Sequence, residues 1–323
     1  MAPSSSLASH APAAAASSPV ASSASSHGAP LASPLIWIDG KIVSKTDAKL
    51  SVYDHGVLYG DGVFEGIRQY NGRVFEKDAH LTRLFESAQG IRLKIPYTKD
   101  QLSAALEETL AANKLKDCYI RLVVTRGVGY LGISPKNCST PLTFIIADNI
   151  QMYPEETYKT GMAIITASVT RNHPNALSPR IKSLNYLNNV LAKWEAIDAG
   201  VPEALMLNHL GFVCECTGDN IFIVKNGELI TPPEESGILL GITRQVVMDL
   251  ARGAGIPVYE KNLTRQDMYI ADECFLTGTG AEVVPVTRID NRNIGTLTAS
   301  GSPAPGPVTL RLLAAFHRKT RGE

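Results

Sequence analysis

Lys182 lies in Arg180-Ile-Lys-Ser-Leu-Asn-Tyr186, ahead of an apolar run predicted as a helix over 183–199 and stopped by Gly200. A cation at a helix start opposes the macrodipole, at a cost of about 0.3–1 kcal/mol, so this is a poor place for an ornamental lysine. The same dipole lowers an ammonium pKa, and a neutral amine attacks an aldehyde to form a Schiff base. Downstream, Glu215 stands in Glu215-Cys-Thr-Gly-Asp-Asn220, in a predicted strand where an unpaired charge would be expensive. Gly241-Ile-Thr-Arg244 then opens a helical run, so its amides face outward from a positive helix end and the Thr243 hydroxyl adds a donor. Thr277-Gly-Thr-Gly-Ala-Glu282 is a second small-residue turn. Singly, these are a surface lysine, an outward glutamate and a capped helix. As a set, they suit an aldehyde that carries a pyridine ring and a phosphate.

These residues must be positioned by a chain of 323 residues, long enough for two domains. Its hydrophobic and charged fractions, 44% and 19%, are those of a globular protein. With 31 Lys plus Arg against 31 Asp plus Glu, no long-range field favours nucleic acid or an anionic membrane. No apolar run approaches the roughly 18 residues of a spanning helix. Five cysteines, an odd number, point to reduced thiols in a cytosol-like compartment. The Cys214-x-Cys216 pair lacks a second cluster and reads as strand packing rather than a metal site.

Residues 1–34 are almost wholly Ala, Ser and Pro without a charged side chain, and are expected to be a disordered tail. An organelle transit peptide is the alternative, although the stretch has no arginine. Asp39-Gly40, Asn71-Gly72 and Asn226-Gly227 signal hairpins. Helices are expected over 78–92 and from a Thr98/Gln101 capping box through Leu115, with strands over 119–125 and 142–147. These make a small α+β domain over 35–149. A polar, proline-broken linker over 150–160 leads to a larger domain over 161–323. There, strands at 163–169, 204–207, 221–224 and 273–276 alternate with helices after Gly241, after Thr264 and from Pro307.

In this order and spacing, the motifs over about 35–320 resemble the class IV, fold type IV pyridoxal-phosphate aminotransferases, closest to the branched-chain amino-acid aminotransferases. The resemblance implies a two-domain α+β/α/β fold of the D-amino-acid aminotransferase type with the active site in the interdomain cleft. It implies pyridoxal 5′-phosphate bound as an internal aldimine on Lys182, with Tyr186 near the phenolic oxygen, Glu215 on the ring nitrogen and Asn220 behind it. The phosphate falls to Ile242, Thr243, Thr279 and Arg83, the last from His80-Leu-Thr-Arg-Leu84. Asp54-His-Gly-Val-Leu-Tyr59-Gly-Asp-Gly-Val-Phe64-Glu-Gly66 resembles the family's first-domain signature. Tyr59 and Phe64 then form an apolar wall beside Tyr119 and Arg121, and the Thr279-Gly280 turn meets the substrate α-carboxylate. Gly280 stands where alanine is common, and Leu122-Val-Val-Thr-Arg-Gly127 lacks a proline that many members carry.

The implied reaction moves the amino group of leucine, isoleucine or valine to 2-oxoglutarate by a ping-pong route, in a homodimer or higher homo-oligomer. Its partners are small amino acids and 2-oxo acids, with no metal, nucleic acid or membrane, and its place is the cytoplasm. A D-amino-acid transaminase is the nearest alternative, but its relatives carry an Arg-x-His pair where this chain has Val128-Gly-Tyr-Leu-Gly-Ile133. An aminodeoxychorismate lyase shares the lysine and glutamate. A non-catalytic scaffold would not need every cofactor position filled.

Overall fold

A computed structural model of the chain describes residues 33–150 and 152–322. The first sheet is built from β1 (Leu35–Ile38), β2 (Lys41–Ser44), β3 (Gly62–Tyr70), β4 (Arg73–Val74), β5 (Cys118–Thr125) and β6 (Leu142–Asp148). Interleaved with them are α1 (His55–Tyr59), α2 (Lys77–Gly90) and α3 (Lys99–Asn113). The strand order is β2-β1-β6-β5-β3-β4, with every pairing antiparallel. The Asp39-Gly40 and Asn71-Gly72 turns take the positive φ that tight hairpins need. Thr98 and Gln101 form the expected reciprocal cap of α3.

Period-two alternation decides what each face of this sheet holds. Val63, Ile67, Ile120 and Leu122 point to α2 and α3, where they pack with Leu81, Leu84, Leu102 and Leu106. Phe64, Arg68, Tyr119 and Arg121 therefore occupy the opposite face.

The second sheet comprises β7 (Met162–Thr166), β8 (Glu203–Leu207), β9 (Val213–Cys216), β10 (Asn220–Lys225), β11 (Glu228–Thr231), β12 (Val258–Glu260), β13 (Glu273–Gly278), β14 (Glu282–Ile289) and β15 (Arg292–Asn293). The helices with it are α4 (Glu155–Thr160), α5 (Leu187–Asp198), α6 (Ile242–Gly253), α7 (Arg265–Tyr269) and α8 (Pro307–Arg321). Its order is β12-β11-β10-β13-β14-β7-β8-β9, with β15 on β14, and parallel and antiparallel pairs are mixed. One face packs α6 and α8 through Val246, Val247, Leu312 and Phe316, together with Tyr70 and Phe75 from the first sheet's strands and turns.

Three local expectations need correction. Helix α5 begins at Leu187, so residues 183–186 are not helical. Ser183 instead bridges Val63 on the free edge of β3, and backbone pairing overrides the helical pattern. The stretch read as an irregular linker contains α4, with Tyr153 buried before it and the Tyr158 hydroxyl donating to Ala281 O at 3.1 Å. Its Pro154 serves as the N-cap instead of breaking the segment. The predicted strand over 163–169 ends at Thr166 because Asp290 takes the Thr166 N–H and hydroxyl. The tail reading for 1–34 falls almost wholly outside the described residues.

Candidate active site

Lys182 is set by the edge of β3. Phe64 N donates to Lys182 O at 3.0 Å and Leu184 N to Gly62 O at 3.0 Å, while Lys182 N donates to the Ser87 hydroxyl at 3.1 Å. The lysine backbone is thus clamped between β3 and α2. Its amine turns toward the second sheet, donating to the Tyr186 hydroxyl at 3.1 Å and lying 4.7 Å above the Phe64 ring. The Tyr186 and Phe64 rings meet edge-on at 5.1 Å. With 183–186 not helical, the macrodipole argument for this lysine falls away, since the helix opens five residues later.

Glu215 is buried in β9 and well partnered. Arg171 donates to its Oε1 from Nε at 3.0 Å and from Nη2 at 2.8 Å. Asn220 Nδ2 at 3.1 Å and the Leu239 amide at 2.9 Å both donate to Oε2. Burial pushes this carboxyl up from its ordinary value, against the pull of Arg171, the Leu239 amide and the Lys182 amine. That opposition leaves Glu215 with an electrostatic gain to make from one further cation. Asn220 also donates to Leu239 O at 2.9 Å, which ties Glu215 to the turn before α6.

That turn is anchored from the other sheet. Arg83 on α2 donates from Nη1 to Leu240 O at 2.9 Å, and pairs in bidentate fashion with Glu65 of β3, Nε–Oε1 2.7 Å and Nη2–Oε2 2.8 Å. His80 Nδ1 lies 2.7 Å from Glu65 Oε2. Burial alone would raise Glu65, but the Arg83 charge and the hydrogen bonds from Arg83 and His80 bring it down to about 2. Helix α6 starts at N-cap Gly241 with no side-chain cap, so the amides of its first turn stay available. A methyl on Gly241 would overlap the Asn220 amide oxygen, so only glycine lets the turn approach this closely. Thr243 is buried in the first turn and Ile242 half-buried. Thr279 and Gly280, also half-buried, lie in the loop between β13 and β14.

The wall of the site comes from the first sheet. The Arg121 guanidinium stacks on Phe64 at 4.5 Å and reaches the Tyr119 hydroxyl at 3.2 Å, while its buried Nε has no hydrogen-bond partner. Gly66 admits this arrangement, because a methyl there would overlap the Tyr119 hydroxyl. Tyr59 stands apart from the group: it is exposed at the end of α1 and accepts the Gly132 N–H at 2.8 Å.

The charged members share one field. Lys182 acts on Glu215 and His80, and Tyr186 and Glu215 act on Arg83. Amine, carboxylate, guanidinium and uncapped helix end therefore suit an aldehyde-bearing pyridine with a phosphate. Sequence reasoning missed Arg171, Glu65, His80 and the Leu239 amide. A signal existed for Glu65, a charge inside the apolar run Val63–Ile67. Arg171 gave none, since only the fold brings it to Glu215.

The family description "Amino-transferase class IV" matches residues 62–289. The chain is 55% identical over 259 residues to a Methanocaldococcus jannaschii protein assigned as a branched-chain-amino-acid aminotransferase, covering 80% of this chain and 89% of that one. It superposes on the Escherichia coli branched-chain amino acid aminotransferase with TM-score 0.86 and 35% identity, over 90% of this chain and 96% of that one. A branched-chain amino acid aminotransferase from T.th., complexed with N-(5′-phosphopyridoxyl)-L-glutamate, matches with TM-score 0.82 and 36% identity over 90% of this chain and 95% of that one. The chain belongs to the class IV aminotransferases, pyridoxal 5′-phosphate enzymes of fold type IV.

Proposed function

We propose that the enzyme moves the amino group of L-leucine, L-isoleucine or L-valine to 2-oxoglutarate in two half-reactions, one amino acid leaving as its 2-oxo acid before the second 2-oxo acid enters. The observation that carries this reading is the Lys182 amine, held in one field with Glu215 and Arg83 against the Phe64–Arg121 wall. When bound, pyridoxal 5′-phosphate supplies an aldehyde for condensation with amines and a ring that accepts the electron pair released at the substrate Cα. Lys182 Nζ is the point of attachment and, once freed, the base and acid that moves the Cα proton. The Tyr186 hydroxyl orients that amine. Glu215, fixed by Arg171, Asn220 and the Leu239 amide, holds a proton on the ring nitrogen. Arg83, Ile242, Thr243 and Thr279 receive the phosphate.

In this reading the Thr279-Gly280 turn receives the substrate α-carboxylate. Phe64 and Tyr119 offer apolar surface to a branched side chain, and Arg121 offers its guanidinium to the second carboxylate of glutamate. The glutamate adduct of the T.th. relative supports that dual use. A homodimer fits the outer face of α5, where Leu187, Val190, Leu191, Trp194 and Ile197 form an exposed apolar stripe at helical spacing. All five cysteines are free thiols and no described helix is long and apolar enough to cross a membrane, which suits a reducing, cytoplasmic setting.

The test is a panel of L- and D-amino acids with 2-oxoglutarate. Turnover should be confined to the L-series and be best with leucine, isoleucine and valine. Turnover with D-alanine in their place would overturn the assignment.

A further inference from the structure

A second buried polar group lies beyond the site, at the far end of the same face of β3. Glu282 opens β14 and pairs with Gly278, so it closes the loop that holds Thr279 and Gly280. It is a buried non-glycine residue in the left-handed region, with φ of 64°. That backbone region is strained for an ordinary residue and persists where surrounding contacts enforce it. The contacts converge on its carboxylate from two other elements. His317 Nε2 of α8 is 2.8 Å from Oε2, and Arg68 Nη2 of β3 is 3.8 Å from Oε1. Tyr70 shares the field of the same carboxylate, and the Arg68 guanidinium lies 5.0 Å from the Tyr70 ring centre. Buried and charged, this carboxylate has a fixed place only while those partners hold it.

We infer that Glu282 is a positioning residue for substrate binding: its carboxylate, anchored by His317 and Arg68, fixes the Thr279-Gly280 turn in the conformation that receives a substrate carboxylate. The inference rests on the reading above that this turn is the α-carboxylate site. The geometry gives the anchor a particular reach. Strand β3 holds Phe64 near the lysine amine and Arg68 and Tyr70 near Glu282, so one strand sets both the wall and the floor of the pocket. Releasing Glu282 lets the backbone leave φ of 64° and frees the loop that carries the Thr279 and Gly280 amides. The cofactor's lysine and ring carboxylate, held by other elements, are untouched.

The probe is 4-methylpentanoate, the leucine skeleton without its amino group, titrated calorimetrically into the cofactor-loaded enzyme. Wild-type protein should bind it. Glu282→Ala should weaken binding by about tenfold, the loss of one charge-assisted anchor, while the visible cofactor band keeps its position. Glu282→Gln retains an acceptor for His317 and should stay within about threefold of wild type. If Glu282→Ala does not fold, His317→Ala replaces it, with an expected loss of about threefold or more. Unchanged affinity in the alanine variant, or equal losses in both Glu282 variants with a displaced cofactor band, would overturn the inference. Failure of the wild-type enzyme to bind the probe would overturn the carboxylate reading itself, and the inference with it.

Discussion

Glu215 and Glu65 are both buried carboxylates paired with arginine, yet burial and partners leave them on opposite sides of the ordinary value. Glu65 has its bidentate Arg83 and His80 as complete compensation, and its work is structural: it fixes the arginine that holds Leu240 O. Glu215 keeps burial as its largest influence, and in the proposed function a protonated ring nitrogen would be its further cation. Glu215→Gln should therefore fold and take up cofactor but lower kcat and kcat/KM together by roughly a hundredfold, as expected when one preorganised charge acting in the transition state is lost. Steady-state kinetics beside a thermal melt will check it. Near-normal turnover would mean that another group meets the ring nitrogen. The sign for Glu65 follows from its lowered value. A carboxyl depressed in the folded state stabilises fully above its ordinary 4.5 and loses that contribution as pH falls toward about 2. Denaturant titrations of wild type and Glu65→Gln should show their largest stability gap above pH 4.5, narrowing below it. A gap that widens in acid would contradict the assignment.

At the scale of elements, the hairpin turns and helix caps were legible in the sequence because they rest on single residues. Gly40, Gly72 and Gly227 take positive φ, the Thr98 capping box closes as its spacing predicts, and the helix after Thr264 opens on a box with Asp267. The start of α5 was not legible. Residues 183–186 have the composition of a helix start, and only the free edge of β3, distant in sequence, shows why they pair instead. The same non-local cause hid Arg171, which lies 44 positions from Glu215. The contacts of Lys182 with Tyr186 and of Asn220 with Glu215 lie within two short segments, where sequence alone can bring residues together. Helix α5 itself tests the assembly reading. Trp194 is 57% exposed at the centre of its apolar stripe. Placing a charge in the core of an apolar interface is costly, so Trp194→Glu should shift the sedimenting species from dimer to monomer. A wild-type protein that sediments as a monomer would remove α5 as an interface.

For the molecule as a whole, the two sheets contribute unlike parts to one site. The second supplies the buried Glu215, the start of α6 and the Thr279-Gly280 turn. The first supplies the Phe64–Arg121 wall and the Arg83 that reaches across to Leu240 O. Lys182 sits where they meet, its backbone paired to β3 and its amine beside Tyr186. The central claim is that this amine, among all the lysines of the chain, carries the cofactor. Borohydride reduction of the yellow enzyme followed by peptide mapping tests it directly. A stable phosphopyridoxyl group is expected on the peptide containing Arg180-Ile-Lys-Ser-Leu-Asn-Tyr186, at Lys182 alone, and none in Lys182→Ala. Labelling at any other lysine, or equal labelling of Lys182→Ala, would contradict it.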